Sequence, residues 1–207
     1  MGSEQFSTDN PLYPINLRDG QKVWGFYRYT NELVNGKIVW TWEPSELSKQ
    51  ITKPRLDQLV KDRKYAVVTQ HLGKGSNGFP FTQEGIQSLR LLKSYDDEGK
   101  ILVARTSRLL DYARSSKYVK YTVAEIEGKT YIDIISINDP LEGASVPSLD
   151  EIRGLTFHVE NPESAFLLLN DNLIDQEDIQ RNSADKSREK SIGVTWFKPD
   201  YTDYTKS

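Results

Sequence analysis

His71 is the side chain in this sequence with the widest chemical repertoire. It follows the apolar run 65–70, and a histidine just past a buried strand stands where βα proteins place their reactive groups. With an unperturbed pKa of about 6.5, an imidazole there suits general acid or base work. The plainer alternative is a structural histidine bonded to a loop carbonyl. Arg28 and Thr106 also fall at the ends of expected strands and would share a substrate-binding face with His71. Arg28 would grip a carboxylate or sugar hydroxyls, or simply stand in solvent. Trp24, Trp40 and Trp42 cluster near the same edge. Indole rings stack on the apolar faces of sugars, and they also fill cores.

Other chemistries are excluded or weakened by the composition. The chain of 207 residues has no cysteine, which removes disulfides, thiolate nucleophiles and Cys-ligated metal centres. Its two histidines, His71 and His158, lie far apart, so no His-x-x-x-His metal pair exists. With 27 basic and 30 acidic residues and a net charge of -3, it lacks the basic excess of a general nucleic-acid or anionic-membrane binder. Gly73, Gly75 and Gly78 spell a Gly-x-Gly-x-x-Gly pattern. A dinucleotide site needs a helix opening directly at those glycines, whereas Phe79, Pro80 and Phe81 intervene before Thr82. The stretch reads as a loop.

The elements that must position these residues follow from periodicity. The run 22–27 reads as a strand, and Asn35-Gly36 as the turn of a hairpin between 33–34 and 38–40. Helical spacing covers 44–63, interrupted at Pro54 with Thr52 as a second N-cap. The runs 65–70 and 101–105 read as strands buried on both faces. Each leads into a helix, one capped by Thr82 and ended at Gly99, the other capped by Thr106 or Ser107. From Lys117 the pattern changes to alternating strands at 119–126 and 130–137 around Glu127-Gly128, then strands at 155–159, 165–169 and 191–197. The second half is therefore expected to be antiparallel β-structure, with 139–154 as a surface connection.

The segment from Tyr65 to Gly73, with Val68-Thr69-Gln70-His71 at its strand end, followed by an amphipathic helix, the strand 101–105 and the Leu109-Leu110-x-Tyr112 helix, resembles the closing part of polysaccharide deacetylase-like proteins. The resemblance covers about residues 20–115, with an echo through 197. It implies a partial (β/α) barrel in which His71 is the general acid that protonates the departing amine. Tyr27-Arg28-Tyr29 would stand for the family's arginine-bearing substrate motif. The family's divalent metal, held by an Asp and a His-x-x-x-His pair, has no counterpart in this sequence. Without that metal the attacking water is not activated, and the chain alone is expected not to deacetylate.

These readings combine into an α/β plus all-β chain. A partial (β/α) barrel of about three βα units at 1–117 precedes an antiparallel β-sandwich-like domain at 118–207. The expected function is that of the C-terminal portion of a deacetylase-like, carbohydrate-active hydrolase. The alternative is a non-catalytic carbohydrate-binding or protein-interaction module. No cofactor is expected in this chain, and a divalent metal only if an N-terminal half is supplied. The expected partners are a carbohydrate, with an N-terminal half or a second copy, and neither nucleic acid nor membrane. No apolar run reaches the length of a membrane span. Residues 1–14 have neither a basic start nor an apolar stretch, so a soluble chain without a signal peptide is expected, its compartment open.

Overall fold

The computed structural model describes residues 2–3, 6–35, 37–72, 80–184 and 189–197. They form a mixed α/β structure with several small sheets, divided into two compact units, Met1–Leu110 and Asp111–Ser207.

The strands of the first unit are β1 (Gly2–Ser3), β2 (Leu12–Asn16), β3 (Lys22–Phe26), β4 (Arg28–Tyr29), β5 (Asn31–Val34) and β6 (Lys37–Trp40). β2 and β3 form one antiparallel hairpin, β5 and β6 a second, and β1 lies parallel to β4. Asn35 takes the left-handed φ of 51° that a tight hairpin turn requires. The helices are α1 (Leu47–Gln50), α2 (Lys53–Asp62), α3 (Gln83–Asp97) and α4 (Thr106–Tyr118), the last running across the unit boundary. Pro54 sits in the first turn of α2, where its missing N–H costs nothing. Thr82 caps α3 by accepting the Gly85 N–H at 3.1 Å. Leu47, Ile51, Leu56 and Tyr95 form the core of this unit, with Val60, Val68, Phe81 and Leu92 packed against them.

Two of the three expected barrel strands are not strands. Residues 65–70 make only isolated bridges, Tyr65 with Thr8 and Val68 with Tyr29, the latter parallel. They are half-buried rather than enclosed on both faces. Residues 101–105 are irregular, with Leu102 49% and Val103 47% exposed. The end of α3 captures this stretch: the Tyr95 carbonyl accepts the N–H groups of Lys100 and Ile101, and the Asp96 carboxylate accepts that of Val103. Backbone groups engaged locally in this way are not free to join a ladder. The third run does form β3, but in a hairpin with β2 rather than ahead of a helix. The Gly73 loop lies outside the described residues.

In the second unit, β7 (Val119–Ile126) and β8 (Lys129–Asp139) form the expected hairpin. Glu127 and Gly128 carry the two positive φ angles of its turn, 51° and 74°. Then come β9 (Gly143–Ser145), β10 (Thr156–His158), β11 (Ala165–Leu169), β12 (Asn172–Leu173), β13 (Ile179–Asn182) and β14 (Ser191–Val194). One sheet runs β12-β11-β8-β7 with β9 beside the end of β8; the other runs β10-β14-β13. The pairing is antiparallel except for β8 and β11, which are parallel, a departure from the expected all-antiparallel half. One core, with Ile132, Ile134 and Leu167 from the larger sheet and Phe157, Ile192 and Val194 from the smaller, serves both. Arg114 on α4 ties this unit together through Glu142 and Glu151, with Asp139 at 3.8 Å.

Candidate functional site

The hairpin β5–β6 ends at Trp40, opposite Asn31, and the chain continues through Thr41 and Trp42 before the helical turn at Pro44. In an extended segment, residues two apart share a face. Trp40 and Trp42 accordingly stack on each other, ring centroids 4.4 Å apart and planes at 27°. Thr41 between them is 1% exposed. His71 comes from a distant part of the chain and lies on Trp42, centroids 4.9 Å apart and planes at 5°. Its backbone N–H donates to the Trp42 carbonyl at 2.7 Å. The result is a three-ring column with Trp42 in the middle. Trp40 is 55% exposed, His71 is exposed and Leu72 beside it is 54% exposed.

The column rests on a buried polar layer. Thr41 donates its N–H (2.9 Å) and its hydroxyl (3.3 Å) to the Thr30 carbonyl. Gln50 at the end of α1 is fully buried and donates to the Thr41 hydroxyl at 3.1 Å. Gln70, one residue before His71, sets its amide against that of Gln50. It also donates to the Thr41 carbonyl at 3.3 Å or, with the amide turned over, to the carbonyls of Glu43 at 2.7 Å and Trp42 at 3.1 Å. Each ring residue thus neighbours a residue anchored in this layer. A buried amide left without a partner costs about 1–3 kcal/mol, so the layer favours one arrangement of the segments that carry the rings.

Below it, Tyr29 is 2% exposed, and burial pushes its phenol above the usual range. The Arg55 guanidinium lies 5.0 Å from the Tyr29 ring centre and pairs with Glu32 at 2.8 Å, tying α2 to the hairpin that carries Trp40.

The structure therefore brings together His71, Trp40 and Trp42. Trp24 lies half-buried in β3 opposite Pro14, Arg28 is exposed in β4, and Thr106 is the first residue of α4. The face that was to unite Arg28, Thr106 and His71 needed 101–105 to be a strand of their sheet, and it is not one. Thr41, Gln50 and Gln70 were missed from the sequence, although one signal was present. Gln50 lies three residues after Leu47 and next to Ile51, on the stripe that becomes the core, and a glutamine there must have a buried partner.

Among the described residues no three His, Asp or Glu side chains gather to hold a metal. The second unit carries an open cleft of about 320 Å³ beside Arg153, Trp196 and Phe197. There the Arg153 guanidinium is engaged by Asp150, Asp178 and Thr195. No helix among the described residues is long and apolar enough to cross a membrane. Comparison of the chain with family models, with curated proteins and with solved structures gives no match.

Proposed function

We propose that this chain is a non-catalytic carbohydrate-binding module whose contact surface is the ledge formed by Trp40, Trp42 and His71. The observation that carries the reading is the stack itself, a preformed column of flat rings with the exposed Trp40 at one end and the exposed His71 at the other. A pyranose ring presents C–H groups on one face, and an indole covers such a face through dispersion and the negative face of its π-system. Rigid rings lose little conformational freedom on binding, so the contact energy is not spent on ordering them.

Titration with oligosaccharides, read by tryptophan fluorescence, tests this. Quenching that saturates and disappears in Trp40→Ala supports it. Absence of binding across a glycan array rejects it.

A second reading keeps the deacetylase-like role, in which His71 protonates a departing amine at a site completed by residues outside this chain. It rests on the exposure of His71 just past a segment that pairs in parallel with Tyr29. The two readings part at one variant. Under the first, His71→Gln weakens glycan binding and there is no amine release to lose. Under the second, the same change abolishes amine release in the completed assembly and leaves binding in place.

A further inference from the structure

β7 has eight residues and, among those described, pairs with β8 alone, which makes it the long edge of its sheet. An edge strand presents a row of backbone N–H and C=O groups that template another strand, and proteins usually blunt such an edge with proline, an inward-facing lysine or a bulge. β7 has no proline. Its register with β8 shifts between Lys120 and Tyr121 by skipping Ile135, so the extra residue lies on β8 and β7 itself stays regular. Tyr121 and Val123 pair with Ile134 and Ile132, both core residues, and so lie on the core side of the sheet. Yet Tyr121 is 49% and Val123 56% exposed. The sheet's apolar side continues past its cover, and Tyr121 closes only part of the gap by meeting Phe157 edge-on at 4.8 Å.

Charge selects what completes it. Lys117 and Lys120 stand at the start of this segment, Glu125 and Glu127 at its end. A parallel in-register addition of a second β7 sets Lys120 beside Lys120 and Glu125 beside Glu125; an antiparallel addition can keep like charges apart. Opposed residues of an antiparallel pair share a face, so Lys120 facing Lys120 and Glu125 facing Glu125 are both disfavoured. The register centred on Thr122 avoids these pairs and sets Tyr121 against Val123 of the partner subunit, twice. An aromatic against a β-branched residue is a favourable cross-strand pair.

We infer that the chain forms a two-fold dimer through β7, with Thr122 facing Thr122 of the partner subunit and the larger sheet continuous across both copies. The contact is isologous and closes on itself. The opposite edge of the sheet is the two-residue β12, so a discrete dimer is expected rather than a filament.

The sequence has no cysteine, which makes the register readable by single thiols in the full chain. Light scattering should give twice the chain mass. Oxidised Thr122→Cys should run as a covalent dimer and Val123→Cys should not. Val123→Lys, at a half-exposed position that the fold tolerates, should elute as a folded monomer by circular dichroism and light scattering. A monomeric parent chain overturns the inference. So does a dimer that survives Val123→Lys, or one in which Thr122→Cys does not cross-link, because its contact is then another surface or another register. Binding of glycan at Trp40 is a separate readout, and neither result predicts the other.

Discussion

The His71 ring lies 5° from parallel to the Trp42 ring, and the same two residues share a backbone hydrogen bond of 2.7 Å. A ring contact and a main-chain contact together fix both the position and the plane of the imidazole. Such aromatic pairs contribute about 0.5–1.5 kcal/mol beyond the area they bury. His71→Ala should therefore uncover one face of Trp42 and shift part of the tryptophan emission to the red, with a stability loss of about 1 kcal/mol in a denaturant titration. Unchanged emission would mean that the two rings do not stack in solution.

Gln50→Leu tests the layer beneath. The substitution keeps the volume but removes the donor to Thr41 and the neighbour of the Gln70 amide. A loss of about 1–3 kcal/mol is expected, the range for a buried polar group stripped of its partner. Weaker glycan quenching should accompany it. A variant as stable as the parent would show that these amides do not hold the ledge.

Arg114→Met addresses the second unit. The guanidinium is bonded to Glu142 and Glu151 and stands 3.8 Å from Asp139, whose side chain is 2% exposed. Asp139 keeps the N–H groups of Leu141 and Glu142, so the loss should fall somewhat short of the 3–5 kcal/mol typical of a broken buried pair, at about 2–3 kcal/mol. Thermal unfolding of the variant measures it.

The same cluster makes stability depend on acid. The Ser148 N–H donated to the Glu151 carboxylate, with help from the Ser148 hydroxyl and Arg114, outweighs partial burial and holds that carboxyl below its ordinary 4.5. A lowered carboxyl stabilises the fold above the unfolded value and loses that contribution as pH falls through the folded one. The parent chain should be more stable than Glu151→Gln above about pH 4.5, and the gap should close as the solution is acidified further. A gap independent of pH would assign the effect to lost packing.

Gly193 is a steric requirement. A Cβ there would stand 2.7 Å from the Leu155 carbonyl oxygen, which already accepts the Val194 N–H. Gly193→Ala should cost about 1–3 kcal/mol, measured by the urea midpoint.

The hairpin β7–β8 was legible because two signals agreed: alternation along 119–126 and 130–137, and a Glu-Gly pair able to take positive φ. The segments 65–70 and 101–105 were misread because an apolar run reports burial preference but not backbone partners. The captors of 101–105, Tyr95 and Asp96, belong to the preceding helix and carry no mark of that role. Within the ledge, Trp40 and Trp42 were legible as a cluster and His71 as a residue of interest. Their stacking depends on a long-range approach that no local pattern encodes. Arg28, Trp24 and Thr106 would join them only on a shared sheet, whereas Trp24 lies in β3, Arg28 in β4 and Thr106 at the start of α4.

The parallel pair β8–β11 sets an order of events in folding. The β7–β8 hairpin needs only its two-residue turn, and hairpins form in about 1–10 μs. β11 can join β8 only after the whole stretch from Pro140 to Ser164 has closed into a loop, an entropy cost paid before the strand gains its ladder. Amide protection should therefore appear on β7 and β8 before β11, and the sheet should grow from the Glu127–Gly128 turn outward. Through that interval the nascent ribbon has β8 open as well as β7, and its crowding with neighbouring chains, more than the finished structure, should govern the yield of refolding.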